Sequence, residues 1–202
     1  MKLTRIAFLT IAVAAASALA TTAASAAPIT YSETAVISGS LDGDGFNGET
    51  IVISWTGDTS NVASGGGSLL INVAGANAVG FTITNAGSGL FSDAGTEVFV
   101  NQNFAGTGAA GFGTSQGSIL DTFDNVFMTY DLTTAIGPIT NAAFIRSDLV
   151  YATTAGNLII SAVRVNSTFE ATTTVPEPAT LSLLGFGLAA AAAARRRAQA
   201  RR

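Results

Sequence analysis

Apolar residues occur in two textures along this chain. From residue 27 to about residue 174 they form short runs of Val, Ile, Thr and Phe broken by Gly, Asn, Asp and Ser, the rhythm of strands and turns. At both ends they run unbroken. The broken texture predicts strands at Glu33–Leu41, Glu49–Thr56, Ser68–Ala74, Gly80–Thr84, Thr96–Asn101, Val126–Thr133 and Ala142–Ala152. The stretch Asn157–Thr174 reads as a hairpin of Leu158–Val165 and Thr168–Thr174 turning at Asn166-Ser167, with Ile159, Ser161, Val163 and Val165 on one face. No segment in this region holds a helical period beyond two turns. The fold class expected is all-β: a single antiparallel β-sandwich or jelly-roll-like domain over residues 27–174.

Two stretches break the rhythm. Asn61–Gly67, with Ser64-Gly65-Gly66-Gly67, reads as a flexible loop. Ala86–Ser118 is rich in glycine, interspersed with Leu90, Phe91, Phe99, Phe104 and Phe112, which are expected to cap one end of the sandwich. Thr172-Thr173-Thr174 reads as a short linker.

The unbroken ends are processing signals. Met1-Lys2-Leu3-Thr4-Arg5 is a cationic start, Ile6–Ala20 an apolar run, and Ala24-Ser25-Ala26 a small-x-small cleavage site. Residues 1–26 thus read as a helical signal peptide removed by signal peptidase after Ala26. An uncleaved N-terminal membrane helix is the competing reading. At the other end, Val175-Pro176-Glu177-Pro178 is a stiff, extended peptide, because each proline fixes its own φ and biases the residue before it. Residues 179–194 carry no charge and would form roughly 24 Å of helix, slightly short of a hydrocarbon core of about 30 Å. Arg195, Arg196, Arg197, Arg201 and Arg202 form a cytoplasmic stop under the positive-inside rule.

This order of elements over residues 175–202 resembles the PEP-CTERM sorting domain of Gram-negative bacteria. The resemblance implies recognition by exosortase, a membrane-embedded cysteine transpeptidase-like enzyme, with cleavage near Pro176-Glu177-Pro178. It also implies a membrane-held precursor, a producer of exopolysaccharide, and a product at the cell surface or in the extracellular matrix. An ordinary C-terminal anchor behind a proline linker is the competing reading. Ser40-Leu41-Asp42-Gly43, followed by Ile53–Asn61, is similar to openings of other β-rich proteins with this sorting domain, which carry no activity to transfer.

Charge changes the picture once the ends are set aside. Only Arg146 and Arg164 remain positive between residues 27 and 174, against twelve acids, a net of −10 where the whole chain shows −4. Such a surface repels phosphate backbones and anionic headgroups, so nucleic acid is not an expected partner. The chain has no Cys and no His, and its single Lys is Lys2. Ser-His-Asp triads, thiol nucleophiles, His- or Cys-bound zinc and lysine Schiff bases are therefore excluded. Carboxylate chemistry and oxygen-ligated metal remain.

Asp42, Asp44, Asn47 and Glu49 crowd a glycine-permitted turn, the residue types that Ca²⁺ prefers, although the spacing is not that of an EF-hand. A polar hairpin turn is the competing reading. Asp121 and Asp124 form a second acidic turn, with Asp131 following on a strand, and would strengthen a cation site if they met Asp42 and Asp44. A carboxylate-dependent hydrolase needs two acids facing across a cleft, and no local motif selects a pair. Trp55 reads as core rather than as a sugar platform. The expectation is a non-enzymatic surface or matrix protein, structural or adhesive, without an obligatory cofactor. A carbohydrate- or Ca²⁺-binding module is the alternative, and a secreted hydrolase a third reading.

Overall fold

The computed structural model describes residues 28–173, together with Gly187 and Gln199. Twelve strands follow one another: β1 (Pro28–Leu41), β2 (Asp44–Asp58), β3 (Val62–Gly66), β4 (Leu69–Val73), β5 (Gly80–Ile83) and β6 (Gly87–Leu90), then β7 (Glu97–Phe104), β8 (Thr107–Thr114), β9 (Gly117–Phe123), β10 (Ile136–Phe144), β11 (Tyr151–Thr153) and β12 (Gly156–Thr173). All the strand pairings are antiparallel, and they join into one sheet of order β3-β4-β7-β8-β9-β10-β12-β1-β2-β5-β6, with β11 beside β12. The all-β antiparallel character matches the sequence rhythm. The architecture is one continuous sheet, which a jelly roll of two separate sheets is not.

The sheet is continuous because β10 changes neighbours. Its residues Ile136–Ala142 pair with β12, whereas Ala143 and Phe144 pair with Thr122 and Asp121 of β9. The two halves then face each other. Tyr31 of β1 lies in one half and Asn72 of β4 in the other, and the Asn72 amide donates to the Tyr31 hydroxyl at 3.3 Å. The core sits between them. Alternation along β1 buries Ile29, Tyr31, Glu33, Ala35 and Ile37. Ile51 and Ile53 of β2, Val98 and Val100 of β7, and Phe112 of β8 complete much of it. At one end Phe91 bridges to Thr153, and Thr154 donates its N–H to Leu90 O, so the far edge of the sheet is tied back to β11.

The glycine-rich stretches are strands rather than loops. Asn61–Gly67 holds β3, and Ala86–Ser118 holds β6, β8 and the start of β9 besides β7, where a strand was expected over Thr96–Asn101. The reason is visible at Gly111, where a Cβ would collide with the carbonyl oxygen of Leu120. Glycine there lets two backbones approach, a demand that reads as turn composition when only sequence is seen. In contrast, Val126–Thr133 is no strand. Asp124 accepts the N–H of Val126 at 2.9 Å and caps a 3-10 turn, Asn125–Met128, whose Phe127 is buried edge-on against Phe169. The strand expected over Ala142–Ala152 is interrupted after Phe144 by a loop holding the Arg146–Asp148 ion pair.

The hairpin expected after Asn157 is replaced by a single 18-residue strand, β12. Asn166-Ser167 is not a turn. Ser167 pairs with Ala35 on one side and Asn141 on the other. Against β1, the step from Ile160 to Ser167 spans only Gly39 to Ala35, so β12 is three residues longer than its partner over this stretch. An odd excess flips the inward face, from Leu158 and Ile160 before the bulge to Ser167, Phe169 and Ala171 after it. Val165 consequently points out and is 85% exposed. Thr172 and Thr173, expected to be linker, pair with Thr30 and Ile29.

The helices expected over residues 1–26 and 179–194 lie outside the described residues, Gly187 apart. Among the described residues no helix is long and apolar enough to cross a membrane.

The continuous strand has a measurable consequence. Ser167→Ala removes a buried hydroxyl that bonds Thr122 Oγ1 at 2.6 Å and Asp121 O at 3.1 Å, and should cost about 1–3 kcal/mol. Val165→Ser should stay within about 0.5 kcal/mol. Thermal melting of the two variants checks both, and a hairpin turn at Asn166-Ser167 would make Ser167→Ala nearly silent.

Candidate functional site

The sorting segment begins where the folded sheet stops. β12 ends at Thr173, paired with Ile29 near the start of β1. Pro28 opens β1, and the signal-peptide cut expected after Ala26 lies just before it. Pro28 and Thr173, the outermost residues of β1 and β12, therefore lie at the same end of the central strand pair. Val175, Pro176, Glu177 and Pro178, residues 179–194 and the arginines from Arg195 onward lie outside the described residues, apart from Gly187 and Gln199.

The Asp42–Glu49 segment is a tight hairpin between β1 and β2. Asp42 and Gly43 take φ values of 52° and 93°, and Leu41 pairs with Asp44 across them. Two positive φ values in sequence are what a two-residue hairpin needs, which explains the Asp-Gly dipeptide. Asn47 Oδ1 accepts from Ser38 Oγ at 2.8 Å, and Glu49 Oε2 accepts from Asn85 Nδ2 at 3.2 Å. The four expected ligands thus lie along a ribbon, two at its turn and two further up with partners of their own. The second acidic turn is divided as well. Asp124 caps the 3-10 turn, Asp131 accepts from Thr133 N at 2.9 Å, and Asp121 is buried. Among the described residues no three acidic side chains are grouped so as to hold a metal ion.

Trp55 is half-buried and stacks on Tyr31, ring centroids 6.0 Å apart, against the edge of the core.

The polar centre of the domain is a cluster that sequence reasoning missed. Glu33 of β1 is wholly buried, and Asp121 of β9 nearly so. Thr122 Oγ1 donates to Glu33 Oε1 at 2.9 Å and shares a 2.6 Å bond with Ser167 Oγ, while Ser118 Oγ donates to Asp121 Oδ1. Glu33 Oε2 has no partner among the described residues. Burial, reinforced by the Asp121 carboxyl, pushes Glu33 well above the usual carboxylate range, and the Thr122 hydroxyl opposes it. Burial likewise pushes Asp121 up to about 7, against the bond from Ser118. A neutral carboxyl suits a closed interior, where an unpaired charge would be costly. A signal existed. In the alternation Ile29, Tyr31, Glu33, Ala35, Ile37, the acid occupies an inward position. The two acids lie within electrostatic reach but under the facing sheet halves, so they do not flank an open cleft of the kind a hydrolase needs.

Comparison with known proteins adds one finding. The family model of the PEP-CTERM protein-sorting motif matches residues 174–197. No curated protein and no solved structure matches the chain. The C-terminal segment is therefore a PEP-CTERM sorting motif, which supports an exported protein directed to exosortase and anchored in the membrane before processing.

The buried acids make stability depend on pH. An unfolded aspartate loses its proton near pH 3.8, whereas Asp121 in the fold keeps it until about 7. Stability present at pH 4 should therefore fall as pH rises through 7, because the unfolded chain binds fewer protons across that window. The thermal midpoint of the full chain in detergent should drop over this range, and Glu33→Gln should make the drop smaller.

Proposed function

We propose that this is an exported protein delivered by exosortase to the cell surface or extracellular matrix, where it serves a structural or adhesive role among exopolysaccharide. The observation that carries the reading is the sorting motif at residues 174–197, which follows directly on the last strand. The signal peptide at residues 1–26 supplies export, and residues 179–194 hold the precursor in the membrane with the terminal arginines inside. Exosortase then acts near Pro176-Glu177-Pro178. The delivered part is the β domain of net charge −10, which stays soluble through its charge and needs no disulfide to fold.

A sheet of this kind suits a passive role. Its polar interior is closed, and the open grooves lie on outer sheet faces. One of them, of about 390 Å³, is lined by Val52, Ser54, Phe81, Thr82, Ser88 and Leu90 among others, with no titratable side chain.

Replacing Pro176, Glu177 and Pro178 together by alanine should leave an unprocessed precursor in the membrane fraction of the native host. Intact mass of the wild-type product should show a new C-terminus near the motif and an N-terminus near Ala27. Unchanged processing of the triple variant would sink the sorting role.

A further inference from the structure

Two bulges flank β1 at nearly the same point. Across from β2, Ser38 pairs with Asn47 and Ile37 with Glu49, so Gly48 has no partner between them. Across from β12, the residues from Arg164 to Asn166 face only Val36. Bulges re-aim the side chains they carry, and the Arg164 guanidinium lies over Gly48. A Cβ built on that glycine would stand 3.1 Å from Arg164 Nη2. Arg164 makes no ion pair among the described residues.

Gly48 follows Asn47, and this is the only Asn-Gly pair in the sequence. Its nitrogen can close a ring onto the asparagine amide carbon, because no glycine side chain blocks the approach. Ser38 Oγ sits between the two reacting groups. It accepts the N–H of Gly48 at 3.1 Å and donates to Asn47 Oδ1 at 2.8 Å. One hydroxyl thus touches the nitrogen that must lose a proton and the oxygen that must gain one. Asn47 is exposed, so water reaches the product of ring closure.

From this geometry we propose that Asn47-Gly48 is a self-modifying site, where the folded chain converts Asn47 to aspartate and isoaspartate through a cyclic imide. The Gly48 nitrogen attacks Asn47 Cγ and forms the new C–N bond. Its proton passes to Ser38 Oγ while the Ser38 hydroxyl proton passes to Asn47 Oδ1. The adduct then returns that proton to Nδ2, the Cγ–Nδ2 bond breaks, and ammonia leaves. Water opens the ring at either carbonyl, so the net change consumes one water and releases one ammonia. The Arg164 charge favours the first step, because it lies beside the nitrogen that gives up its proton. The product sets a carboxylate next to the residue that Arg164 covers, and this gives the cation an acid to pair with across β1. Isoaspartate lengthens the backbone of β2 by one methylene, at a place where the strand already carries an unmatched residue.

Peptide mapping of the full chain in detergent, incubated at neutral and mildly alkaline pH, tests this. The peptide holding Asn47 should gain the mass of an amide exchanged for an acid, and isoaspartyl methyltransferase should label it. The folded chain should react faster than the chain unfolded in guanidinium chloride. Ser38→Ala should slow the folded reaction about tenfold, less than the roughly 10²–10⁴ of a positioned general base, whereas Ser38→Thr should keep the rate. Arg164→Gln should slow it less and remove its dependence on salt. An Asn47 that stays an amide in the folded chain, or reacts no faster than in the unfolded one, overturns the site. A hydroxyl that merely holds the bulge would make Ser38→Ala faster; that result, or an unchanged rate, overturns the relay.

Discussion

β1 and β12 run side by side from Ile29 opposite Thr173 to Leu41 opposite Leu158, and every other strand hangs from this pair. β2, β5 and β6 extend the sheet beyond β1. The strands from β10 to β3 extend it beyond β12. The pairing joins the two ends of the domain, so its loop-closure entropy is large and is recovered only when the halves close over a common core. The strongest sequence-distant contacts support that closure. The Tyr31 hydroxyl donates to Leu132 O at 2.6 Å, and Phe169 of β12 packs on Phe127 and Tyr130.

The closure also forces polar groups inside. Glu33, Thr122, Ser167 and Asp121 meet where β1, β9 and β12 converge, and hydroxyls rather than cations bond one oxygen of each acid. Neutral carboxyls avoid the cost of burying charge, at the expense of stability that declines as pH rises from about 4 through 7. Removal of one hydroxyl strands its neighbours, which makes the cluster specify a single register between strands that lie far apart in sequence.

The β character was legible because Val, Ile and Thr runs alternate and turn residues punctuate them. Long strands with apolar alternation, such as β1 and β2, were readable from residues alone. Strands made of glycine were not. In β8 the sequence Thr107-Gly108-Ala109-Ala110-Gly111 has turn composition, and only a neighbouring backbone at Gly111 makes it a strand. The Asn166-Ser167 dipeptide failed differently, since its polarity serves a bulge and a buried hydrogen bond instead of a turn. Of the candidate sites, the sorting signal was readable because its chemistry is local and linear. The Glu33–Asp121 cluster is assembled from separate strands, so sequence order hides it, although Glu33 betrayed itself by sitting on the buried phase of β1.

The pairing of Ile29 with Thr173 has a mechanical side. A force applied at Thr173 against the body of the sheet would pull along the axis of β12. The load then runs parallel to the strands, and the hydrogen bonds between β12 and both neighbours resist it together in shear. Pulling across the sheet would open them one after another, like a zipper. The position of the last strand, in the middle of the sheet and not at its edge, thus spreads a pull along it over two ladders of hydrogen bonds.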